Sequence, residues 1–192
     1  MKELSIGWAV CGSFCTFARV MPIMRSLSQT GAGVTAVFSE TAYQTDTRFG
    51  AAADWVKEAE EITGRPVIHT IAGAEPIGPQ KKLDLLIVAP ATGNTLGKLA
   101  HGVTDTAVTM ACKSHLRNNR PILLGISTND GLSGSAANIG ALMGRKNIFF
   151  VPWRQDDAGN KPMSLVAELE QIPGIIPAVL SGRQPQPILL GA

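Results

Sequence analysis

"LDLLIVAPATGNT", residues 83–95, decides the fold class. From Leu85 to Ala89 the chain carries no polar side chain, and Pro90 and Gly93 punctuate the run at once. An apolar run this short, closed by Pro and Gly, is a strand covered on both faces, as in a parallel sheet. Small and polar residues then follow without a gap: Pro90, Ala91, Thr92, Gly93, Asn94, Thr95. A flat polar shelf at the mouth of the most apolar strand is where a ligand belongs in such a sheet.

Working outward, strand patterns alternate with helical ones. "LSIGWAVCG" (4–12), "GVTAVFS" (33–39) and "PVIHTI" (66–71) read as strands one to three, with "LDLLIVAP" (83–90) as the fourth. "RPILLGIS" (120–127) and "KNIFFVP" (146–152) are the fifth and sixth. Helices are expected over about 17–29, 51–63, 95–101 and 104–117, with a last one from Ser164 to Gln171 or irregularly on toward Val179. Val20, Met21, Met24 and Leu27 share one helix face, and Trp8, Trp55 and Trp153 read as packing residues. "RQDDAGNKPM" (154–163) is polar and reads as an exposed loop, and a Pro-rich tail begins at about residue 182. The expectation is one α/β domain over residues 1–192, a three-layer, doubly wound, Rossmann-like and mostly parallel sheet.

Composition narrows the function. The 192 residues are 45% hydrophobic, 17% charged and 5% aromatic, with a net charge of +2. That is a globular balance with no basic run and few rings for base stacking, so nucleic-acid binding is not expected. No secretory or membrane segment is read, and an odd cysteine count (Cys11, Cys15, Cys112) fits neither a disulfide framework nor a zinc site. A reducing cytosol is the expected compartment. Cys15 reads as a small buried hydrophobe, with a helix-terminal thiol of lowered pKa as the alternative.

Four strand ends carry hydroxyls, amides and glycines: "CGSFCT", "SETAYQT", "APATGNT" and "STNDGLSGSAANIG". None carries a catalytic triad, a carboxylate pair or a metal cluster. Singly these are ordinary turn and cap residues. Four ends converging at one edge of a parallel sheet make a neutral polar surface suited to a phosphate and a heterocycle. The G-x-G-x-x-G fingerprint and the P-loop lysine are missing, which excludes the usual NAD and ATP sites. His69, His101 and His115 are isolated, and no metal site is expected. His101 reads as a helix-terminal residue bonded to carbonyls and Asp105 as a helix cap, with a site role as the alternative for each. Lys98, Arg145 and Lys146 read as solvated cations, alternatively as partners of a dicarboxylate.

"APATGNTLGKLAHGVTDT" (89–106) resembles the P-A-S-A-N-T segment of the flavoprotein family that includes phosphopantothenoylcysteine decarboxylases, peptidyl-cysteine decarboxylases and flavin prenyltransferases. "GSFCT" and "FSETA" resemble that family's two phosphate-loop segments, and the likeness spans most of residues 5–145. It implies flavin mononucleotide (FMN) as cofactor. By resemblance, Gly12, Ser13, Ser39 and Thr41 serve its phosphate and ribityl chain. Pro90, Ala91, Thr92, Asn94 and Thr95 border the ring system, and Asn129 stands where the decarboxylases bind substrate. Two departures count against decarboxylation: Pro76 stands near the place of the catalytic histidine, His69 lying too far upstream, and Thr128-Asn129 replaces the family's Met-Asn.

"GWAVCGSFCTF", "AEPIGP" and "APATGNTLGKLAHGVTDTAVTMACKSHLRN" are similar to one branch of that family, the B subunits of a two-subunit synthase of endospore-forming bacteria. This resemblance implies work with an A subunit that carries NAD(P), forming dipicolinate from the dihydrodipicolinate-pathway intermediate in the mother-cell cytosol. It also implies a homo-oligomer with flavin sites at the boundaries between protomers. A flavin-dependent decarboxylase and a non-catalytic nucleotide- or phosphate-binding partner remain the alternatives.

Overall fold

A computed structural model describes residues 4–191; the expected domain limits at 1 and 192 lie outside the described residues. Seven strands form the sheet: β1 (Ser5–Val10), β2 (Gly33–Phe38), β3 (Leu85–Ala91), β4 (Ile122–Thr128), β5 (Ile148–Phe150), β6 (Trp153–Asp157) and β7 (Lys161–Ala167). The helices are α1 (Phe17–Gln29), α2 (Glu40–Gln44), α3 (Ala52–Thr63), α4 (Ile71–Ala74), α5 (Gly93–His101), α6 (Ala107–Leu116), α7 (Ala136–Met143) and α8 (Ile172–Leu180). β2, β1, β3, β4 and β5 are parallel and lie in that order, so the chain reverses its direction of travel between β1 and β3. β7 and β6 extend the sheet antiparallel. β5 and β7 share one edge of β4, β5 against Ile122–Leu124 and β7 against Ser127 and Thr128.

All seven residues of β3 are buried, as a central strand covered on both faces requires. The register between β3 and β4 shifts between Val88 and Ala91, and the indole N–H of Trp8 donates to the Ala89 carbonyl at that irregularity (2.8 Å). The single-domain α/β reading therefore holds, with corrections at the elements. "PVIHTI" makes no strand: Ile68 bridges Val37 alone, because Pro66 offers no N–H and Thr70 caps α4 immediately after. The expected loop 154–163 is a hairpin, its turn closed by Asp157 Oδ1 accepting from Asn160 N (3.0 Å). The helix expected from Ser164 is instead β7, followed by one 3₁₀ turn (Leu169–Gln171) and α8, whose Pro173 sits in the first turn where no donor is needed. α6 begins at Ala107, three residues later than expected, because Thr106 and Thr109 form a reciprocal capping box. The tail packs on its own chain: the Gln184 amide bonds both the N–H and the carbonyl of Phe150 on the outer edge of β5 (2.9 and 2.8 Å).

His115 on α6 is 1% exposed and its Nε2–H donates to the Pro121 carbonyl (2.9 Å). Burial, aided by the nearby Arg120 charge, lowers its pKa to about 4 against the Pro121 bond and Asp84, which act the other way. Between about pH 6.5 and 4 the unfolded chain therefore takes up a proton that the folded chain refuses, so stability falls as pH falls through that window. The expected loss from pH 7 to pH 5 is about 2 kcal/mol in urea unfolding. His115→Gln, which keeps a donor and does not titrate, should flatten that slope; an unchanged slope refutes the assignment.

Candidate functional site

A cleft of about 700 Å³ opens beyond the carboxyl ends of β1, β3 and β4. Its floor is the segment after each strand: Gly12 and Ser13, Thr92 to Asn94, and Ser127 to Asp130. Its outer wall is the β6–β7 hairpin with Asp156, Lys161 and Ser164, joined by Arg19 of α1 and Phe49 of the α2–α3 loop. The opening between β1 and β3 is the reversal point where open sheets of this kind hold ligands.

The floor is braced by hydroxyls. Ser13 Oγ and Ser127 Oγ lie 2.8 Å apart and tie the end of β1 to the end of β4. Ser13 therefore makes no side-chain cap on the 3₁₀ turn that leads into α1, and Thr16 makes none on α1 itself. The turn instead bonds itself through the backbone, the Thr16 N–H donating to the Ser13 carbonyl (3.1 Å) and the Phe17 N–H to the Phe14 carbonyl. Thr128 Oγ1 donates to Asp130 Oδ1 (2.5 Å), accepts from Gly93 N (3.2 Å), and Ser135 Oγ donates to the same carboxylate (2.9 and 3.0 Å). A Cβ on Gly93 would overlap Ser135 Oγ and come within 2.6 Å of Asp130 Oδ1 and 2.8 Å of Thr128 Oγ1. Only glycine lets the start of α5 approach this network.

Of the ten residues singled out from the sequence, Gly12, Ser13, Thr92, Asn94 and Asn129 line the cleft. Ser39, Thr41, Pro90, Ala91 and Thr95 do not. Ser39 caps α2, accepting from Ala42 N (3.2 Å), and Thr41 packs against Gly12. Pro90 and Ala91 are buried in β3. Thr95 is buried and donates to Cys11 Sγ (3.2 Å), a bond that works against the burial pushing the Cys11 thiol up to about 11. The cap of α5 is Thr92, accepting from Thr95 N (3.4 Å), so Asn94 stands inside the first turn with its side chain exposed.

Cys15 differs from its expected burial: it is exposed and lines the cleft, because it sits on the outward face of the 3₁₀ turn, whereas Cys11 and Cys112 are buried. His101 does bond a helix carbonyl, Gly97 O (2.9 Å), while Asp105 pairs with Lys98 (2.8 Å) and leaves the cap of α6 to Thr106. His69 stacks on Tyr43 at 3.8 Å between ring centroids, and among the described residues no histidine lines the cleft. Lys98, Arg145 and Lys146 lie outside the cleft, and among the described residues its cations are Arg19 and Lys161. Sequence spacing missed both, since one arrives from α1 and the other from an unforeseen hairpin. Among the described residues no group of three or more His, Cys, Asp or Glu side chains is placed to hold a metal, and no helix is long and apolar enough to cross a membrane.

The chain belongs to the Flavoprotein family, whose model matches residues 1–138. Its likeness to one member runs the full length: the dipicolinate synthase B subunit of Bacillus subtilis is 46% identical over 190 residues, 99% of this chain and 95% of the relative. The crystal structure of the dipicolinate synthase B subunit from Bacillus halodurans superposes with a TM-score of 0.90 at 42% identity, covering 99% of this chain and 97% of that one. Burkholderia xenovorans DmrB in complex with FMN, described as a cubic protein cage for redox transfer, shares the fold with a TM-score of 0.68 at 17% identity over 93% and 96% of the two chains.

Two outcomes are expected in thermal or chemical unfolding. Gly93→Ala should lose about 1–3 kcal/mol by forcing apart the Thr128–Asp130–Ser135 network. Thr92→Ala should lose about 1 kcal/mol as a missing cap, and Asn94→Leu should change stability by less than about 0.5 kcal/mol. A larger loss in the Asn94 variant than in the Thr92 variant would overturn the capping assignment.

Proposed function

We propose that this chain is the FMN-binding B subunit of a dipicolinate synthase. In this reading it works with an A subunit that carries NAD(P), and the pair forms dipicolinate by oxidising a cyclic dihydrodipicolinate-pathway dicarboxylate. The observation that carries the reading is the 46% identity to a dipicolinate synthase B subunit over 99% of the chain. In this reading the chain works in the mother-cell cytosol of a sporulating bacterium.

The donor set of the cleft fits a flavin nucleotide. The turn where β1 leads into α1 brings the Ser13 and Thr16 side chains and the Gly12 backbone to the cleft, a setting that suits a phosphate. Thr92, Asn94 and Asn129 supply hydroxyl and amide groups for the polar edge of a ring, and Phe14 and Phe49 supply apolar surface for its face. Bound there, FMN would supply two-electron redox chemistry. The chain's own part is to orient. The Ser13–Ser127 and Thr128–Asp130–Ser135 bonds hold the three strand ends at fixed separation, so ring and substrate meet in one geometry. Decarboxylation is not favoured, because the cleft offers no imidazole, among the described residues, to move a proton.

The test is titration of the purified chain with FMN, read by quenching of flavin fluorescence. The parent should bind, and Asn94→Leu should weaken binding by about one to two decades, the loss of about 1–3 kcal/mol for an unpaired polar group. A parent that leaves free FMN fluorescence unchanged refutes the flavin reading. The same reading takes the chain as a homo-oligomer with cofactor sites at the boundaries between protomers. Light scattering at micromolar concentration should then give a mass above that of a dimer, and a monomer refutes it.

A further inference from the structure

The cleft has two chemically different ends. Its floor carries neutral hydroxyls and amides together with one anion, Asp130, whose oxygens are taken by the hydroxyls of Thr128 and Ser135 and, among the described residues, by no cation. A second carboxylate brought close to Asp130 would be repelled. Its rim carries two cations, Arg19 and Lys161, drawn from elements far apart in the sequence. Each is paired with carboxylates: Arg19 with Glu170 through two bonds (2.9 and 2.6 Å) and more loosely with Glu168 (3.6 Å), Lys161 with Asp156 (2.7 Å).

Asp156 bonds Lys161 (2.7 Å), and both line the cleft together with Arg19, whose guanidinium is held charged mainly by its bond to Glu170. Asp156 is thus the counter-ion that an acid group of a ligand would replace at Lys161. These pairs are exposed on both sides, with side-chain exposures of 58% and 39% for Lys161 and Asp156 and of 39% and 53% for Arg19 and Glu170. Exposed pairs of this kind contribute little to stability and exchange readily with solvent and ions. A planar guanidinium also takes a carboxylate through two parallel bonds.

We propose that Arg19 and Lys161 are the specificity-determining residues of the cleft, and that they recognise the carboxylates of a small cyclic dicarboxylate by displacing Asp156 and Glu170. This rests on the reading of the chain as part of a dipicolinate-forming enzyme, and it assigns the acid groups of the substrate to the rim and leaves the floor to the flavin ring.

The experiment uses the full chain, alone and mixed with its A subunit, with pyridine-2,6-dicarboxylate and pyridine-2-carboxylate as probes in isothermal titration. FMN binding is followed separately by fluorescence. The parent should bind the dicarboxylate at least about tenfold more tightly than the monocarboxylate. Arg19→Gln and Lys161→Met should each weaken the dicarboxylate about tenfold and erase most of that preference, with FMN affinity held within about twofold. Asp156→Asn and Glu170→Gln remove the closest competing carboxylate at each cation and should tighten the dicarboxylate severalfold. A purely structural role for the two ion pairs predicts the opposite sign for the acid variants, since breaking a pair from either side then loosens the rim. The proposal is overturned if the parent binds no dicarboxylate at millimolar concentration in either mixture. It is equally overturned if either cation variant binds within twofold of the parent, or if the acid variants weaken binding. A parent that binds the dicarboxylate with this dependence on Arg19 and Lys161 but takes no FMN supports the rim assignment and refutes the flavin reading alone.

Discussion

The bond from the Trp8 indole N–H to the Ala89 carbonyl is the constraint on which the cleft depends. β3 is buried throughout, and its pairing with β4 slips between Val88 and Ala91. A slip inside a fully buried strand exposes backbone polar groups to an apolar surrounding, at a cost of about 1–3 kcal/mol for each group left unpaired. The indole reaches from the neighbouring strand and satisfies the carbonyl. With that acceptor paired, the end of β3 is free to leave the ladder, and the chain passes into α5 within one residue, at Thr92. The Cys11 N–H to Pro90 carbonyl bond (3.3 Å) then joins the end of β1 to the same bend. The shelf is therefore set by a tryptophan far away in sequence, 81 residues before the carbonyl it bonds.

The central strands were legible because burial on both faces leaves a compositional mark. β1, β2, β3, β4 and β5 all fall on the runs read as strands, the limits differing by a residue or more where Cys11, Gly12 and Pro152 follow without a polar break. The edge of the sheet left no such mark. In β6, Arg154, Gln155 and Asp156 are all exposed, since a strand at an edge and wound away from the core has no face to hide. Its polar run therefore reads as a loop. The sequence signal that was present lies in the turn, where Asp157 and Asn160 flank Ala158-Gly159, a pairing that closes tight reversals. β7 was obscured for a different reason: it joins the sheet by completing the upper edge of β4, a position that β5 leaves open, and no local pattern announces such a shared edge.

The floor of the site was legible for the same reason as the strands, because strand ends in a parallel sheet converge by construction. Gly12, Ser13, Thr92, Asn94 and Asn129 reach the cleft simply by following the carboxyl ends of β1, β3 and β4. Thr95 shows the limit of that logic. It lies in the first turn of α5, and the helix rotates its hydroxyl into the core, toward Cys11, while Asn94 one residue earlier faces out. Two neighbours in a motif thus part company because a helix advances about 100° per residue. The rim was not legible, because Arg19 comes to the cleft from α1 and Lys161 from a hairpin that its polar run conceals.

The contrast between floor and rim follows from how each is held. The floor groups are tied by short bonds among part-buried hydroxyls and one carboxylate, in surroundings where water competes weakly and each bond counts for more. Moving one of them strands the others, so the floor is stiff. The rim groups sit at the surface, where water and salt screen their attraction and long side chains lose entropy by staying paired. Their pairs cost little to break and little to re-form. A site built this way keeps its fixed geometry where a ring must be oriented and its exchangeable charge where a ligand enters and leaves. Reversing the placement would fail on both counts, since a buried cation at the floor would demand a permanent partner, and neutral hydroxyls at the rim would give an incoming anion nothing to follow.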